Sequence, residues 1–137
     1  MAFKEQRAWD SFKKSSEGLL KMYRIENMIG EAMPDVKGIN RIGTSFWLEL
    51  KAYDEWPKRE TTCILKNKFE KGQLAFLCAW RSWRGHAFVL LRVGTVYYLL
   101  RPVMDLESYT RIQLMEAALV IGKKECIEYL ENIQNEN

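Results

Sequence analysis

The sequence predicts an α/β fold in which helices flank a mixed β-sheet. Segments with helical periodicity and segments with strand periodicity follow one another, and two strongly apolar strands are joined by Gly94-Thr95, a typical hairpin turn. Of the 137 residues, 47% are hydrophobic and 28% are charged, which is close to the globular average. We therefore expect a single domain over residues 1–137, with its core at about 7–102 and a C-terminal helical extension at about 105–134.

The N-terminal part of the chain predicts one helix followed by a short strand. Apolar residues recur at helical spacing between Arg7 and Tyr23, and Gly18 is expected to fray or break this helix. Tyr23–Asn27 is then typical of a short strand.

Two paired strands are predicted next, at Asp35–Asn40 and Ser45–Lys51. Proline lacks an amide hydrogen and can open a strand, so Pro34 marks the start of the first one. A turn over residues 41–44 joins the two strands. Side chains alternate along a strand, so one face of the second strand carries Trp47, Glu49 and Lys51 and the other carries Phe46, Leu48 and Leu50.

The remaining elements follow from the same two periodicities. Tyr53–Lys68 is polar and predicts a long loop, with a possible short strand at Thr61–Leu65. The elements predicted after this loop are a helix at Phe69–Arg84, strands at Ala87–Val93 and Val96–Arg101, and helices at Ile112–Ile121 and Lys124–Ile133. One face of the first of these helices carries Gln73, Leu77, Trp80 and Arg84.

The composition excludes several classes of protein. No apolar run approaches the ~18 residues of a membrane span, and the N-terminus lacks the apolar stretch of a secretory signal. His86 is the single histidine, which excludes a histidine-rich metal site. The three cysteines are widely spaced, which favours reduced thiols and a cytoplasmic protein. A net charge of +3 permits a nucleic-acid partner without arguing strongly for one.

Asp35, Glu49 and Lys51 form the candidate catalytic group. Pairing of the two predicted strands brings both carboxylates together, and the lysine shares a face with Glu49. Carboxylates are ligands that suit Mg²⁺ or Mn²⁺, and an ammonium beside them can hold a water or offset charge on a phosphate. Hydrolysis of a phosphodiester uses all three parts. The alternative is a plain Glu49–Lys51 ion pair on a solvated strand face, because this spacing is expected by chance about once in such a chain.

Several stretches between Tyr23 and Arg101 occur together in one known superfamily. They are Arg24-Ile25-Glu26-Asn27, Met33-Pro34-Asp35-Val36, Phe46-Trp47-Leu48-Glu49-Leu50-Lys51, Trp56-Pro57-Lys58-Arg59, Phe69 through Gln73, and the block from His86 to Gly94. In order, spacing and type they resemble the PD-(D/E)xK nucleases, and more closely the small phage-encoded VRR-NUC and Holliday-junction-resolvase-like branch. The resemblance implies a restriction-endonuclease-like core, a mixed sheet flanked by helices, in agreement with the predicted order of elements.

The resemblance also implies roles for individual residues. Asp35 and Glu49 would be ligands of Mg²⁺, for which Mn²⁺ can substitute, Lys51 would be the catalytic lysine, and Gln73 would support the site. A further acid usually completes such a site: Glu26 is the first candidate, as a catalytic residue and metal ligand. The second candidate is Glu17, because related resolvases draw this acid from a helix. An Arg24–Glu26 ion pair is the alternative for Glu26. The chain departs from the superfamily pattern before Gln73. Members often carry a helix-capping residue and a proline there, whereas this chain has Phe69-Glu70-Lys71-Gly72, and this puts the start of that helix in doubt.

Basic residues close to the candidate site predict contacts with DNA phosphates. They are Lys58, Arg59, Lys66 and Lys68 in the loop and Arg81 and Arg84 at the end of the next helix. Trp56 and Tyr53 lie among these charges and could stack on an unpaired base. The alternative is a solvated loop with its aromatic side chain in the core. Trp80 and Trp83 are expected in the core or on a self-association surface.

These observations lead to the hypothesis of a metal-dependent endonuclease that acts on branched or structured DNA, resembles Holliday junction resolvases and is encoded by a phage. A homodimer is expected, because a four-way junction offers two equivalent cuts. A flap-type or non-specific nuclease of the VRR-NUC type is one alternative. The other is a non-catalytic DNA-binding or phage structural module that retains the fold.

Overall fold

The computed structural model describes residues 3–25 and 32–135. Within these ranges the helices are α1 (Phe3–Ser15), α2 (Gln73–Ser82), α3 (Arg111–Ala117) and α4 (Lys123–Asn132). The strands are β1 (Leu20–Arg24), β2 (Val36–Asn40), β3 (Ser45–Tyr53), β4 (His86–Val93), β5 (Val96–Leu100) and β6 (Val120–Ile121). None of the described helices is long and apolar enough to cross a bilayer.

The described strands form one mixed sheet in the order β1-β2-β3-β4-β5-β6. β3 and β4 run parallel, with Glu49 opposite Val89 and Lys51 opposite Leu91, and the other neighbouring strands pair antiparallel. A parallel pair needs a crossover connection, which the loop after β3 and helix α2 supply. The predicted mixed α/β architecture is therefore confirmed.

Helices cover both faces of the sheet. Phe46 and Leu48 of β3 belong to a core built with α1 and α4, whereas Trp47 belongs to a second core built with α2 and α3. The predicted alternation of β3 is confirmed by this division. Glu49 and Lys51 follow Trp47 at every second position, so they lie on the face that α2 covers.

The N-terminal helix begins earlier than predicted and ends close to the break that the sequence predicted near Gly18. The predicted helix extends from Arg7 to Tyr23, but α1 begins at Phe3 and ends at Ser15. Gly18 follows in a turn with φ +80°, a left-handed conformation that glycine adopts without a steric penalty. Backbone bonds from the N–H groups of Leu19 and Leu20 to the Ser16 carbonyl complete the turn. The next strand therefore starts at Leu20 instead of Tyr23, because residues 20–24 pair with β2.

The connection between β3 and α2 also differs from the prediction. Thr61–Leu65 contains turns and no strand, since it has no neighbouring strand with which to pair. The helix predicted to span Phe69–Arg84 begins at Gln73 and ends at Ser82. Gly72, the residue that made the start of this helix uncertain, is its N-terminal capping position and has φ +86°. A left-handed residue cannot continue a helix, so the start moves to Gln73.

The C-terminal region contains a strand that the sequence did not predict. The predicted helix at Ile112–Ile121 is divided into α3 and the short strand β6. The Leu119 N–H donates to the Leu99 carbonyl and the Gly122 N–H donates to the Tyr97 carbonyl. Pairing with β5 thus outweighs the helical pattern and extends the sheet by one strand.

We expect replacement of Gly38 by alanine to destabilise the sheet. In the strand register Gly38 lies between Met22 and Phe46, and an added Cβ would collide with the Phe46 ring. Overpacking of this kind costs about 1–3 kcal/mol. Urea unfolding should show a lower midpoint for Gly38→Ala, whereas Ser45→Ala, at an exposed strand position, should leave it nearly unchanged. Equal midpoints for both variants would contradict the close packing of β2 on the Phe46 ring.

Candidate active site

Pairing of β2 with β3 brings Asp35 and Glu49 together. Val36 lies opposite Leu48, so Asp35, which directly precedes β2, reaches the level of Glu49. The Asp35 backbone N–H donates to Glu49 Oε1 at 3.2 Å. The Leu50 backbone N–H donates to Asp35 Oδ2 at 2.9 Å. The two carboxylates therefore lie side by side and are held by the strand backbones.

Glu49 and Lys51 are both buried, which argues against the solvated ion pair. Glu49 is 2% exposed and Lys51 is 7% exposed. Lys51 Nζ lies 3.2 Å from Glu49 Oε2. The same ammonium donates to the Lys68 carbonyl at 2.6 Å and lies 5.0 Å from the centre of the Phe69 ring. Three groups from β3 and the following loop thus fix the position of the lysine: the Glu49 carboxylate, the Lys68 carbonyl and the Phe69 ring.

Gln73, the first residue of α2, completes the hydrogen bonds of Glu49. Its Nε2 donates to Glu49 Oε1 at 3.3 Å and its Oε1 accepts from the Glu70 backbone N–H at 3.0 Å. Gln73 is 4% exposed. The structure therefore brings Asp35, Glu49, Lys51 and Gln73 into one group, and Gln73 links the start of α2 to the strand carboxylate.

Burial and a neighbouring carboxylate make Glu49 a weak acid. Desolvation, and to a lesser extent the Asp35 carboxylate, raise the pKa of Glu49, and the Lys51 ammonium opposes both effects; together they leave this pKa at about 8. At neutral pH the folded protein therefore tends to keep a proton on Glu49. A divalent cation beside both carboxylates would remove this repulsion and displace that proton.

Glu5 of α1 is a further acid in the field of this group, and the sequence-based prediction missed it. Burial raises the pKa of Glu5, the Lys51 ammonium opposes that rise, and the Asp35 carboxylate adds to it. The predicted helix began at Arg7, so Glu5 fell outside it. A signal was present in the sequence: Glu5, Ala8, Trp9 and Phe12 have the i, i+3, i+4, i+7 spacing of one helix face, and the last three are buried.

The two acids that the sequence put forward have different outcomes. Glu26 lies outside the described residues. Glu17 lies in the turn after α1 and is exposed. About 18 Å of helix separates its end of α1 from the end that carries Glu5, at 1.5 Å per residue. The acid of α1 that lies close enough to interact with Lys51 and Asp35 is Glu5, at the opposite end of the helix from Glu17.

The carboxylates fit a hard divalent cation that is bound by few protein ligands. Among the described residues, no three His, Cys, Asp or Glu side chains converge to form a metal-binding cluster. Mg²⁺ is commonly held by one or two carboxylates, and waters and substrate phosphates complete its shell. The adjacent oxygens of Asp35 and Glu49 match this kind of site, with Mn²⁺ as a chemically similar occupant.

The basic residues predicted to bind DNA fall into two places. Lys58, Arg59, Lys66 and Lys68 are exposed in the loop between β3 and α2, and the Lys68 carbonyl contacts Lys51. Arg84 is also exposed, but it follows the C-terminal end of α2, while Gln73 is at the N-terminal end. The Lys68 end of the loop is therefore near the carboxylates, whereas Arg84 is about one helix length away.

The aromatic side chains differ from the expectation. Trp56 is half-buried, its ring meets Tyr98 edge-on at 5.6 Å, and the Arg111 guanidinium lies 5.2 Å from its centre. Tyr53 is also half-buried. Trp56 is thus engaged in packing against Tyr98 and Arg111. Trp83, expected in the core or on a self-association surface, is 88% exposed.

Comparison with known proteins identifies the fold. No family model matches the chain, and no curated protein matches it. The structure of Hjc, a Holliday junction resolvase from the archaeal hyperthermophile Archaeoglobus fulgidus, matches with a TM-score of 0.60 and 14% identity, over 94% of this chain and 99% of that one. A structure described as a VRR_NUC domain matches with a TM-score of 0.48 and 19% identity, over 69% of this chain and 87% of that one. The match to Hjc over nearly the whole of both chains confirms the mixed α/β fold that the sequence resemblance implied.

The raised pKa of Glu49 predicts that the metal-free protein loses stability as the pH rises. The unfolded chain ionises Glu49 near pH 4.5, whereas the folded chain keeps its proton up to a pKa of about 8. The stabilising contribution is therefore complete below about pH 4.5 and is lost as the pH approaches 8, at roughly 1 kcal/mol per pH unit. Urea unfolding between pH 5 and 8 in EDTA would measure this slope. Glu49→Gln, which cannot ionise, should flatten it, and equal slopes would contradict the assignment.

Proposed function

We propose that this chain is an endonuclease that depends on a divalent metal and hydrolyses phosphodiester bonds in branched or structured DNA. The observation that carries the proposal is the burial of Glu49 and Lys51 beside Asp35. Burying ionisable groups is costly, and groups with perturbed pKa values concentrate at functional sites. The PD-(D/E)xK nuclease fold and the Holliday junction resolvase Hjc, which shares it, support the same conclusion.

The chain's own residues supply orientation and charge in this proposal. Asp35 and Glu49 would hold Mg²⁺ or Mn²⁺, which when bound lowers the pKa of a water and stabilises the leaving oxygen. Lys51 has three N–H donors, and two of them face the Lys68 carbonyl and Glu49. The third can orient a water or contact a phosphate oxygen. Gln73 keeps the Glu49 carboxylate in a fixed orientation through its Nε2.

The exposed basic loop would contact the DNA backbone next to the carboxylates. Lys58, Arg59, Lys66 and Lys68 are exposed, and phosphate contacts need positive charge but carry no base sequence. We therefore propose recognition of DNA structure with little sequence preference. A symmetric homodimer would suit a junction with two equivalent cut positions. The resemblance to phage-encoded nucleases supports a phage origin and action in the host cytoplasm.

Cleavage of defined substrates tests the proposal. A labelled four-way junction is compared with a linear duplex, a flap and a single strand, each with Mn²⁺ or EDTA. Paired, metal-dependent cuts in the junction alone are the expected result. Equal cutting of all substrates would support the nuclease activity but contradict the preference for branched DNA. If the protein binds the junction but does not cut it in Mn²⁺, the chain is a non-catalytic DNA-binding module and the proposed nuclease activity is wrong.

Lys51→Ala should lower the cleavage rate by roughly 100-fold or more, because it removes a preorganised donor from the reacting phosphate. The fold and Mn²⁺ binding should persist, as measured by circular dichroism and calorimetric titration. Asp35→Asn should lose both cleavage and Mn²⁺ binding, since it removes a ligand charge. Asp105→Asn, at an exposed position, is the control. Retained cutting by both site variants would refute the assignment.

Glu5→Gln should also reduce cleavage, whereas Glu17→Gln should not. Glu5 lies in the field of Lys51 and Asp35, and Glu17 is exposed beyond the other end of α1. Because the Glu5 carboxylate adds negative charge near Asp35, the Mn²⁺ titration should show weaker binding for Glu5→Gln alone. Equal cleavage rates and equal Mn²⁺ affinities for both variants would show that Glu5 takes no part in the site.

A further inference from the structure

The surface beyond the C-terminal end of α2 combines an exposed tryptophan with arginines. Trp83 is 88% exposed and borders a cavity of about 580 Å³. A neighbouring cavity of about 750 Å³ shares Gly85 and His86 with the first. The arginines that line this larger cavity are Arg81, Arg84 and Arg101. We call Trp83 and these three arginines the Trp83 surface.

Trp83 is almost fully exposed, whereas its neighbour Trp80 is 39% exposed and packs against other side chains. The Trp80 ring stacks on Phe76 at 5.8 Å, meets Trp47 edge-on at 5.9 Å, and lies 4.9 Å from Lys37 Nζ. In the described part of the chain, Trp83 takes part in no such ring contact. Trp80 therefore anchors the end of α2 to the sheet, and Trp83 extends from this anchored end with its ring exposed.

The turn after α2 holds Trp83 and Arg84 in a fixed arrangement. The Arg84 N–H donates to the Arg81 carbonyl at 2.9 Å, and the Gly85 N–H donates to the Trp80 carbonyl at 3.1 Å. A Cβ on Gly85 would collide with the Trp80 ring, so this residue packs closely under the turn. Arg84 has φ +66°, at a position where helices usually have glycine. An arginine that accepts this strained backbone points to a role for its side chain.

The charge of this surface suits an anion. Arg81 donates to the Pro102 carbonyl at 3.3 Å, which holds its guanidinium against the segment after β5. Among the described residues, none of the three arginines forms an ion pair with a carboxylate. Glu125 and Glu128 of α4 line the same cavity, so arginines outnumber acids there by three to two. Exposed arginines beside a free aromatic ring match phosphates that flank a base.

We propose that the Trp83 surface binds an unpaired nucleotide of the DNA substrate, with the base stacked on Trp83 and the flanking phosphates next to Arg81, Arg84 and Arg101. This inference rests on the proposed nuclease function and names the feature of the substrate that is recognised. An apolar protein partner would have to bury the three arginines without matching charges, which is unfavourable. A nucleotide needs both the ring and the charges.

Helix α2 sets the distance between this surface and the carboxylates. The helix begins with Gln73, which contacts Glu49, and ends at Ser82, directly before Trp83. Ten residues at about 1.5 Å each give a helix of about 15 Å. At about 3.4 Å per nucleotide of one strand, this length corresponds to about four nucleotides. The bound base would therefore lie about four nucleotides from the phosphate that is cut.

DNA binding without cleavage tests the inference. Fluorescence anisotropy in EDTA compares a blunt duplex with the same duplex carrying an oligo-dT extension of about ten nucleotides. The extension should raise the affinity of the wild-type protein, and Trp83→Leu should remove that gain, by about 5- to 100-fold. Trp83→Phe keeps an aromatic face and should retain most of it. Lys14→Ala, at an exposed site on α1, which packs on the opposite face of the sheet from α2, is the control and should have no effect.

Arg84→Gly separates binding from stability. Glycine adopts φ +66° without strain, so this variant should unfold at the same urea concentration as the wild type or at a higher one. Its affinity for the extended duplex should nevertheless decrease, together with the salt dependence of binding. Weaker binding that appears only with lower stability would contradict a direct contact.

Each outcome decides either this inference or the proposed function. Equal affinity of wild type and Trp83→Leu for the extended duplex, with junction cleavage intact, would overturn the inference and leave the nuclease unaffected. If Trp83→Leu converts a dimer to a monomer in sedimentation experiments while the extension adds no affinity, a second copy of the chain covers the surface and the inference is wrong. Absence of both cutting and DNA binding in the wild type would overturn the proposed function and this inference with it.

Discussion

The candidate site depends on the register between β2 and β3. That register places Asp35 next to Glu49 and allows each strand to donate a backbone N–H to the carboxylate of the other. A shift by one residue would turn Glu49 and Lys51 to the opposite face of the sheet, where α1 and α4 form an apolar core. The alternating apolar residues of β3 oppose such a shift, because Phe46 and Leu48 would lose their burial. The apolar packing of β3 therefore maintains the register that holds Asp35, Glu49 and Lys51 together.

Burial of Glu49 is unfavourable by itself, and its neighbours offset that penalty. An isolated carboxylate in this position would lose its hydration without compensation. The Asp35 N–H, Gln73 Nε2 and Lys51 Nζ replace the lost waters. The neighbouring carboxylate still opposes ionisation and keeps the pKa of Glu49 high. The arrangement is satisfied in hydrogen bonds but remains electrostatically suited to a cation.

Helix α2 connects two parts of the surface that the sequence treats as separate. Its first residue contacts Glu49, and the residue after its last one is the exposed Trp83. Phe76 and Trp80 both pack on Trp47 of β3, and Lys37 of β2 lies over the Trp80 ring, so the end of the helix is attached to both strands. The distance between the carboxylates and the Trp83 surface is therefore set by a rigid element. This arrangement would allow one DNA strand to contact both.

The sequence by itself determined the strand pattern, the order of the main elements and the group formed by Asp35, Glu49, Lys51 and Gln73. Strand alternation and helix spacing are local properties, so they can be read from neighbouring residues. The resemblance to the PD-(D/E)xK motif predicted which side chains from different elements come together. Tertiary contacts decided the features that depend on residues distant in the sequence. Pairing with β5 turned part of a predicted helix into β6, and packing of α1 brought Glu5 towards Lys51 and left Glu17 in solvent. The exposure of the tryptophans is also decided by tertiary contacts. Trp56 and Trp83 both lie close to basic residues in the sequence, but their exposure depends on which distant side chains cover them.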